Sequence, residues 1–157
     1  MKLWPMVEAE RLAQAAEAET YTEAEWRVPT PCPAWRVREL IAHLAQYGNP
    51  SWPPIAFARA RFNRDRFVAD VAVRIAAAHT DAGLMARLRD RASSQWRPPG
   101  VPAEGMLLDT IVHDWDIRMS LGRASAPART PITSTPSTTW SWPATSCAAA
   151  GVFAGSS

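Results

Sequence analysis

Residues 107–122 read LLDTIVHDWDIRMSLG. Leu107, Leu108, Ile111, Val112 and Trp115 recur at helical spacing, and Gly122 stands where a helix would stop. The stretch is therefore expected to be a helix with an apolar face. Asp109 and His113 are four residues apart, so their side chains leave it on one side, a turn from each other. An acid and an imidazole so placed can share one divalent ion. What the remainder of the chain brings to that pair decides both the fold and the chemistry.

Immediately upstream, residues 95–102 (QWRPPGVP) form a proline-rich loop. Before it, AGLMARLRDRAS reads as a short helix with Thr80-Asp81 as its cap, and His79 as a helix-end residue. Residues 55–79 carry Phe57, Phe62, Phe67, Val68, Val71 and Ile75 at spacings that fit a third, long helix, with its arginines on a solvated face. Further back, WRVRELIAHLAQYG (residues 35–48) is helical again, Val37, Leu40, Ile41, Leu44 and Tyr47 making its apolar face. His43 lies on that face, between Leu40 and Tyr47. In VPTPCPAW the prolines Pro29, Pro31 and Pro33 forbid a continuing helix, and Cys32 reads as a small turn residue. Residues 7–20, rich in Ala and Glu, make a first helix. Four main helices without a convincing alternating strand argue for an all-α bundle. Of the eight tryptophans, Trp26, Trp35 and Trp115 fall near the segments that carry the chemistry, and all three read as core.

After Gly122 the character changes. Residues 130–157 contain no charged residue and show no periodicity, being built of Ser, Thr, Pro and Ala. We therefore divide the chain into a bundle over residues 1–125 and a tail over 126–157 that is expected to be disordered or loosely packed. So abrupt a loss of charge is also what a shifted reading frame or a truncation would produce, which translation of the underlying DNA in its other frames decides.

The 157 residues suffice for one domain with a real core. The net charge of +2 is spread along the chain, with no basic block or aromatic–basic ladder, which argues against nucleic acid as a partner. The start, MKLWPMVEAERL, has no signal-peptide h-region, and no apolar run approaches a membrane span. The expectation is a cytoplasmic protein with no membrane partner. Neither Cys32 nor Cys147 has metal-ligand spacing.

In a helical bundle, metal ligands project inward from facing helices. The candidates are His43, Asp109 and His113. Two imidazoles and a carboxylate hold Zn²⁺ or a similar ion and leave a position open for water or substrate, as in a catalytic site. The alternative is that Asp109 and His113 are merely an intrahelical pair on a solvated stripe shared with Asp116.

Two signatures bear on that choice. The stretch TPCPAWRVRELIAHLAQ resembles the N-terminal signature of the mycothiol-dependent maleylpyruvate isomerase family, and WRPPGVPAEGMLLDTIVHDWDIRMSLG resembles its second signature. The likeness spans roughly residues 7–122. It implies a DinB-like four-helix bundle with His43, Asp109 and His113 as metal ligands, the metal being zinc in the first instance. It departs from the family pattern at Asp109, where glutamate is usual, and at Arg36, where threonine is common. Arg36 leaves Glu39 to supply only the acid half of a capping box. The tail resembles nothing in the family.

What the resemblance implies is thiol chemistry. Mycothiol would serve as thiol cosubstrate and add to a small electrophile, giving isomerisation or S-transfer. Asp116 is placed to orient His113, and Arg38 and Arg118 are candidates to attract an anion. Two rivals remain: a non-catalytic metal-binding bundle, and a truncated inactive copy. The third helix is a face on which a homodimer can form.

Overall fold

In a computed structural model of the chain, residues 3–33, 35–47 and 64–123 are described. Five α-helices are present among them: α1 (Leu3–Ala18), α2 (Val37–Gln46), α3 (Arg64–Ala78), α4 (Asp81–Asp90) and α5 (Ala103–Ser120). A 3₁₀ turn, Glu25–Arg27, lies between α1 and α2. The one extended pairing among the described residues is an isolated antiparallel bridge between Pro29 and Arg36. The all-α expectation holds. Phe57, Phe62, the start proposed for the third helix and the tail lie outside the described residues.

Local chemistry explains the boundaries. The prolines hold residues 29–36 in a tight return: Thr30 N–H donates to Trp35 O at 3.0 Å, and Val37 N–H to Val28 O at 3.0 Å. α2 begins where this return ends. Glu39 accepts the Arg36 backbone N–H at 2.9 Å and also its guanidinium, so the acid half of the capping box is present and an ion pair joins it. Thr80 caps α4, its Oγ1 accepting from Gly83 N–H at 3.1 Å. His79 sits at the α3–α4 junction, with Nδ1 3.0 Å from Ile75 O. α5 closes at Gly122, whose φ of +67° is left-handed, while Arg123 N–H donates back to Arg118 O at 2.7 Å.

α2 is the central element, packed on α3, α4 and α5, while α1 packs on α4 and α5. Its predicted face, Val37, Leu40, Ile41, Leu44 and Tyr47, is buried throughout. Trp26, Val71, Ile75, Leu84, Leu88 and Ile117 complete the main core. Burial of this apolar surface is the term that holds the bundle together.

α5 corrects the sequence reading. Leu108 is 49% and Trp115 42% exposed, as is Met119 at 50%, and Leu107, Ile111 and Val112 are only half-buried. Trp115 is therefore not core. The inward face consists instead of Met106, Asp109, Thr110, His113, Asp116 and Ile117. A helix buries polar residues on this scale only where other elements supply their hydrogen-bond partners.

Candidate functional site

His43 from α2 meets Asp109 and His113 from α5 in the interior, and all three are buried. Nε2 of His43 lies 3.4 Å from both carboxylate oxygens of Asp109. Nε2 of His113 lies 3.5 Å from Oδ1. The two imidazole rings stand edge to face, their centroids 4.8 Å apart. The picture of an intrahelical pair on a solvated stripe does not survive this burial.

Each ring is gripped on its far side. His113 Nδ1 is 3.2 Å from Oδ2 of Asp116, which is wholly buried and one turn further along α5. His43 Nδ1 is 2.5 Å from Nε2 of Gln46, while the Tyr47 hydroxyl is 3.2 Å from His43 Nε2, the nitrogen that faces Asp109. Trp35 lies over both imidazoles, at centroid distances of 5.1 Å and 6.3 Å. The proline-bound return that precedes α2 thus lays an indole against the site.

Electrostatics divide the two histidines. Burial lowers the pKa of His43 further than Asp109 raises it, keeping the ring neutral. Burial acts the same way on His113, but there Asp109 and Asp116 outweigh it and raise the imidazole to about 9. Burial works against the Asp109 carboxylate, yet the two histidines hold it well below the usual carboxylate range. Tyr47, raised by burial and by Asp109, remains a neutral phenol. Without a metal, an imidazolium at His113 lies between the carboxylates of Asp109 and Asp116.

The donor set also fits a divalent cation. Oδ2 of Asp109 is buried without a hydrogen bond. The N···O separations of 3.4–3.5 Å exceed the usual N–H···O range. They approach the edge of roughly 3.3 Å between two donors each about 2.0–2.1 Å from a tetrahedral ion. The ligand atoms of His43, Asp109 and His113 all fall within 4.8 Å of one another. Cys32, His113 and Asp116 make a second such group, with Cys32 Sγ 3.9 Å from Asp116 Oδ2. Cys32 is disulfide-bonded, so its sulfur offers no thiolate to an ion in that group. The first group uses Nε2 of His113, which faces Asp109.

Other expectations fare differently. Asp116 stands where it was expected, against His113. Arg38 is spent elsewhere, on the carbonyls of Ala76 and His79 and in an ion pair with Asp81. Arg118 pairs with Glu17, its Nε 3.3 Å from Oε2. Neither arginine reaches the three-residue group through a described contact. Sequence reading missed Gln46 and the polar role of Tyr47, although both lie one turn beyond His43 and share its face by helical periodicity. It also missed Arg11 of α1, which is 1% exposed. A lone arginine in an Ala/Glu-rich helix ordinarily reads as solvated.

The profile of the family described as "Mycothiol maleylpyruvate isomerase N-terminal domain" matches residues 7–97, more than half of the chain. The matched segment contains His43 and its surroundings and ends before α5, so Asp109 and His113 lie beyond it. No curated protein and no solved structure matches the chain.

Proposed function

The chain belongs to the mycothiol maleylpyruvate isomerase N-terminal domain family, and on that premise we propose that it is a divalent-metal-dependent enzyme that uses mycothiol to isomerise a small electrophilic substrate or transfer sulfur to it. His43, Asp109 and His113 are the proposed ligands, with zinc the first candidate for the metal. The observation that carries the reading is that the ligand atoms of these three buried side chains lie within 4.8 Å of one another, where a carboxylate oxygen accepts no hydrogen bond.

When bound, the ion supplies Lewis acidity that favours the thiolate of a coordinated thiol near neutral pH. The protein's own residues do the rest. Asp116 accepts Nδ1–H of His113 and aims Nε2 at the shared point. The Tyr47 hydroxyl, kept protonated, offers an O–H beside His43. Trp35 shields the rings and limits water at the site. No helix among the described residues is long and apolar enough to cross a membrane, which agrees with the cytoplasmic location we propose.

Elemental analysis of the purified protein beside its His113→Ala variant tests the proposal. Near-stoichiometric metal in the wild type and its loss in the variant support the site and justify a screen for thiol-dependent turnover. Equal metal in both, or none in either, removes the basis for the reading.

A further inference from the structure

One flank of α4 carries a feature that the three-residue group does not use. A groove of about 470 Å³ runs along it, lined by His79, Gly83, Ala86, Arg87, Asp90 and Arg91. Clefts that hold small molecules span roughly 300–1,000 Å³. Leu84 and Leu88 of the same helix turn into the core, and the groove shares no residue with His43, Asp109 and His113.

Two arginines stand in the groove one turn apart. Nε of Arg87 and Nη1 of Arg91 are shut off from water, and neither makes a hydrogen bond among the described residues. Charged donors left in that state are costly. Elsewhere the chain avoids that cost: Arg38, Arg89, Arg118 and Arg123 each meet a carboxylate. Among the described residues Arg87 and Arg91 meet none. Burial lowers the Arg87 pKa, and the charge of Arg91 lowers it further, as expected of two cations side by side with no anion between them. Such a pair works against folding until an anion joins it.

Helical side chains lean toward the N-terminus of their helix, so Arg87 leans over Gly83 and Arg91 over Arg87. Gly83 and Ala86 offer no bulk to fill the space below. His79 stands at the N-terminal end of the groove, its Nδ1 taken up by Ile75 O at 3.0 Å, which leaves Nε2 for a ligand. A carboxylate's two oxygens suit a single guanidinium fork, whereas two guanidiniums on successive turns suit a tetrahedral anion that offers an oxygen to each. Asp90 would repel that anion and instead suits a part of the ligand that donates a hydrogen bond.

We propose that this groove binds a phosphoryl group between Arg87 and Arg91, on a small hydroxylated compound that reaches Asp90. Inorganic phosphate offers the same oxygens without the hydroxylated body. The site is independent of the metal reading and stands or falls without it.

Calorimetric titration of the full chain at fixed ionic strength tests the site, with glucose 6-phosphate, inorganic phosphate and glucose as probes. Wild type is compared with Arg87→Gln and Arg91→Gln, and a thermal melt is taken of each. Arg91→Gln leaves intact the main-chain carbonyl that accepts from Arg11. We expect wild type to bind glucose 6-phosphate, phosphate more weakly, and glucose not at all. Either variant should weaken binding of the ester about tenfold or more, while its Tm stays level or rises because a like-charge contact is gone. Phosphate bound as tightly as the ester, and lost in both variants, supports the phosphoryl site and overturns the part given to Asp90. No ester binding by wild type, undiminished binding by either variant, or glucose bound as well as its ester overturns the site.

Discussion

Oδ2 of Asp116 lies 3.2 Å from Nδ1 of His113, and the carboxylate that makes this contact is wholly buried. The pairing fixes which nitrogen of His113 carries a proton toward Asp116 and turns Nε2 toward Asp109. Partners of this kind are commonly worth 10–100-fold in metal affinity. We expect Asp116→Asn, which keeps an acceptor and loses the charge, to weaken metal binding by about tenfold. Asp116→Ala should approach the upper end of that range. Competition against a chromophoric chelator measures both, and unchanged affinity in Asp116→Ala would show that something else orients the ring.

Gln46 plays the corresponding part for His43, with a twist. Its amide nitrogen faces Nδ1 at 2.5 Å, and its Oε1 is buried without a partner. A His43 that offers its Nε2 lone pair to a metal carries its proton on Nδ1. Only the Oε1 side of the amide accepts that proton. Metal binding is therefore expected to turn the Gln46 amide over, visible as a change in the His43 ring-nitrogen shifts on titration with zinc. Gln46→Met, which removes the acceptor at similar volume, should weaken metal binding about tenfold, whereas Gln46→Glu should retain it.

The charge balance of the pocket makes the metal-free protein sensitive to pH. His113 is raised from its ordinary 6.5 to about 9, so the native state holds this proton more tightly than the unfolded chain. The resulting stability is fully present below pH 6.5 and is lost as pH rises through about 9. It is on the order of a few kcal/mol at most. Thermal melts of chelator-treated protein should show a falling Tm across that window. His113→Asn should flatten the profile, and a wild-type Tm that stays level through pH 9 would contradict the assignment.

The two faces of α5 differ in what they contribute. Ile117 is fully buried in the main core, so Ile117→Ala should cost about 2–5 kcal/mol in urea unfolding. Trp115, despite its size, is 42% exposed, and Trp115→Gln should stay within about 1 kcal/mol of wild type. A large loss at Trp115 would mean that the inward face has been misassigned.

The amino-acid sequence by itself was enough for what depends on near neighbours. The proline return before α2, the Thr80 cap, the Gly122 stop and the apolar face of α2 follow from backbone and periodicity rules that act over a few residues. The three candidate ligands could be named from the sequence, but spacing left Asp109 and His113 open to being merely an intrahelical pair, and the resemblance to the family is what joined them to His43. Tertiary structure decided what no local rule weighs. The apolar pattern of α5 pointed to Leu108 and Trp115 as its buried side, yet the helix turns Asp109, His113 and Asp116 inward. Partners distant in sequence make that burial affordable, His43 standing sixty-six residues before Asp109. The same holds for Arg11, whose three carbonyl acceptors come from the turn after α4. An interior site for polar groups exists only once separate helices bring their hydrogen-bonding atoms together. Packing of the whole bundle, rather than the pattern along one helix, therefore chose the face on which the candidate site lies.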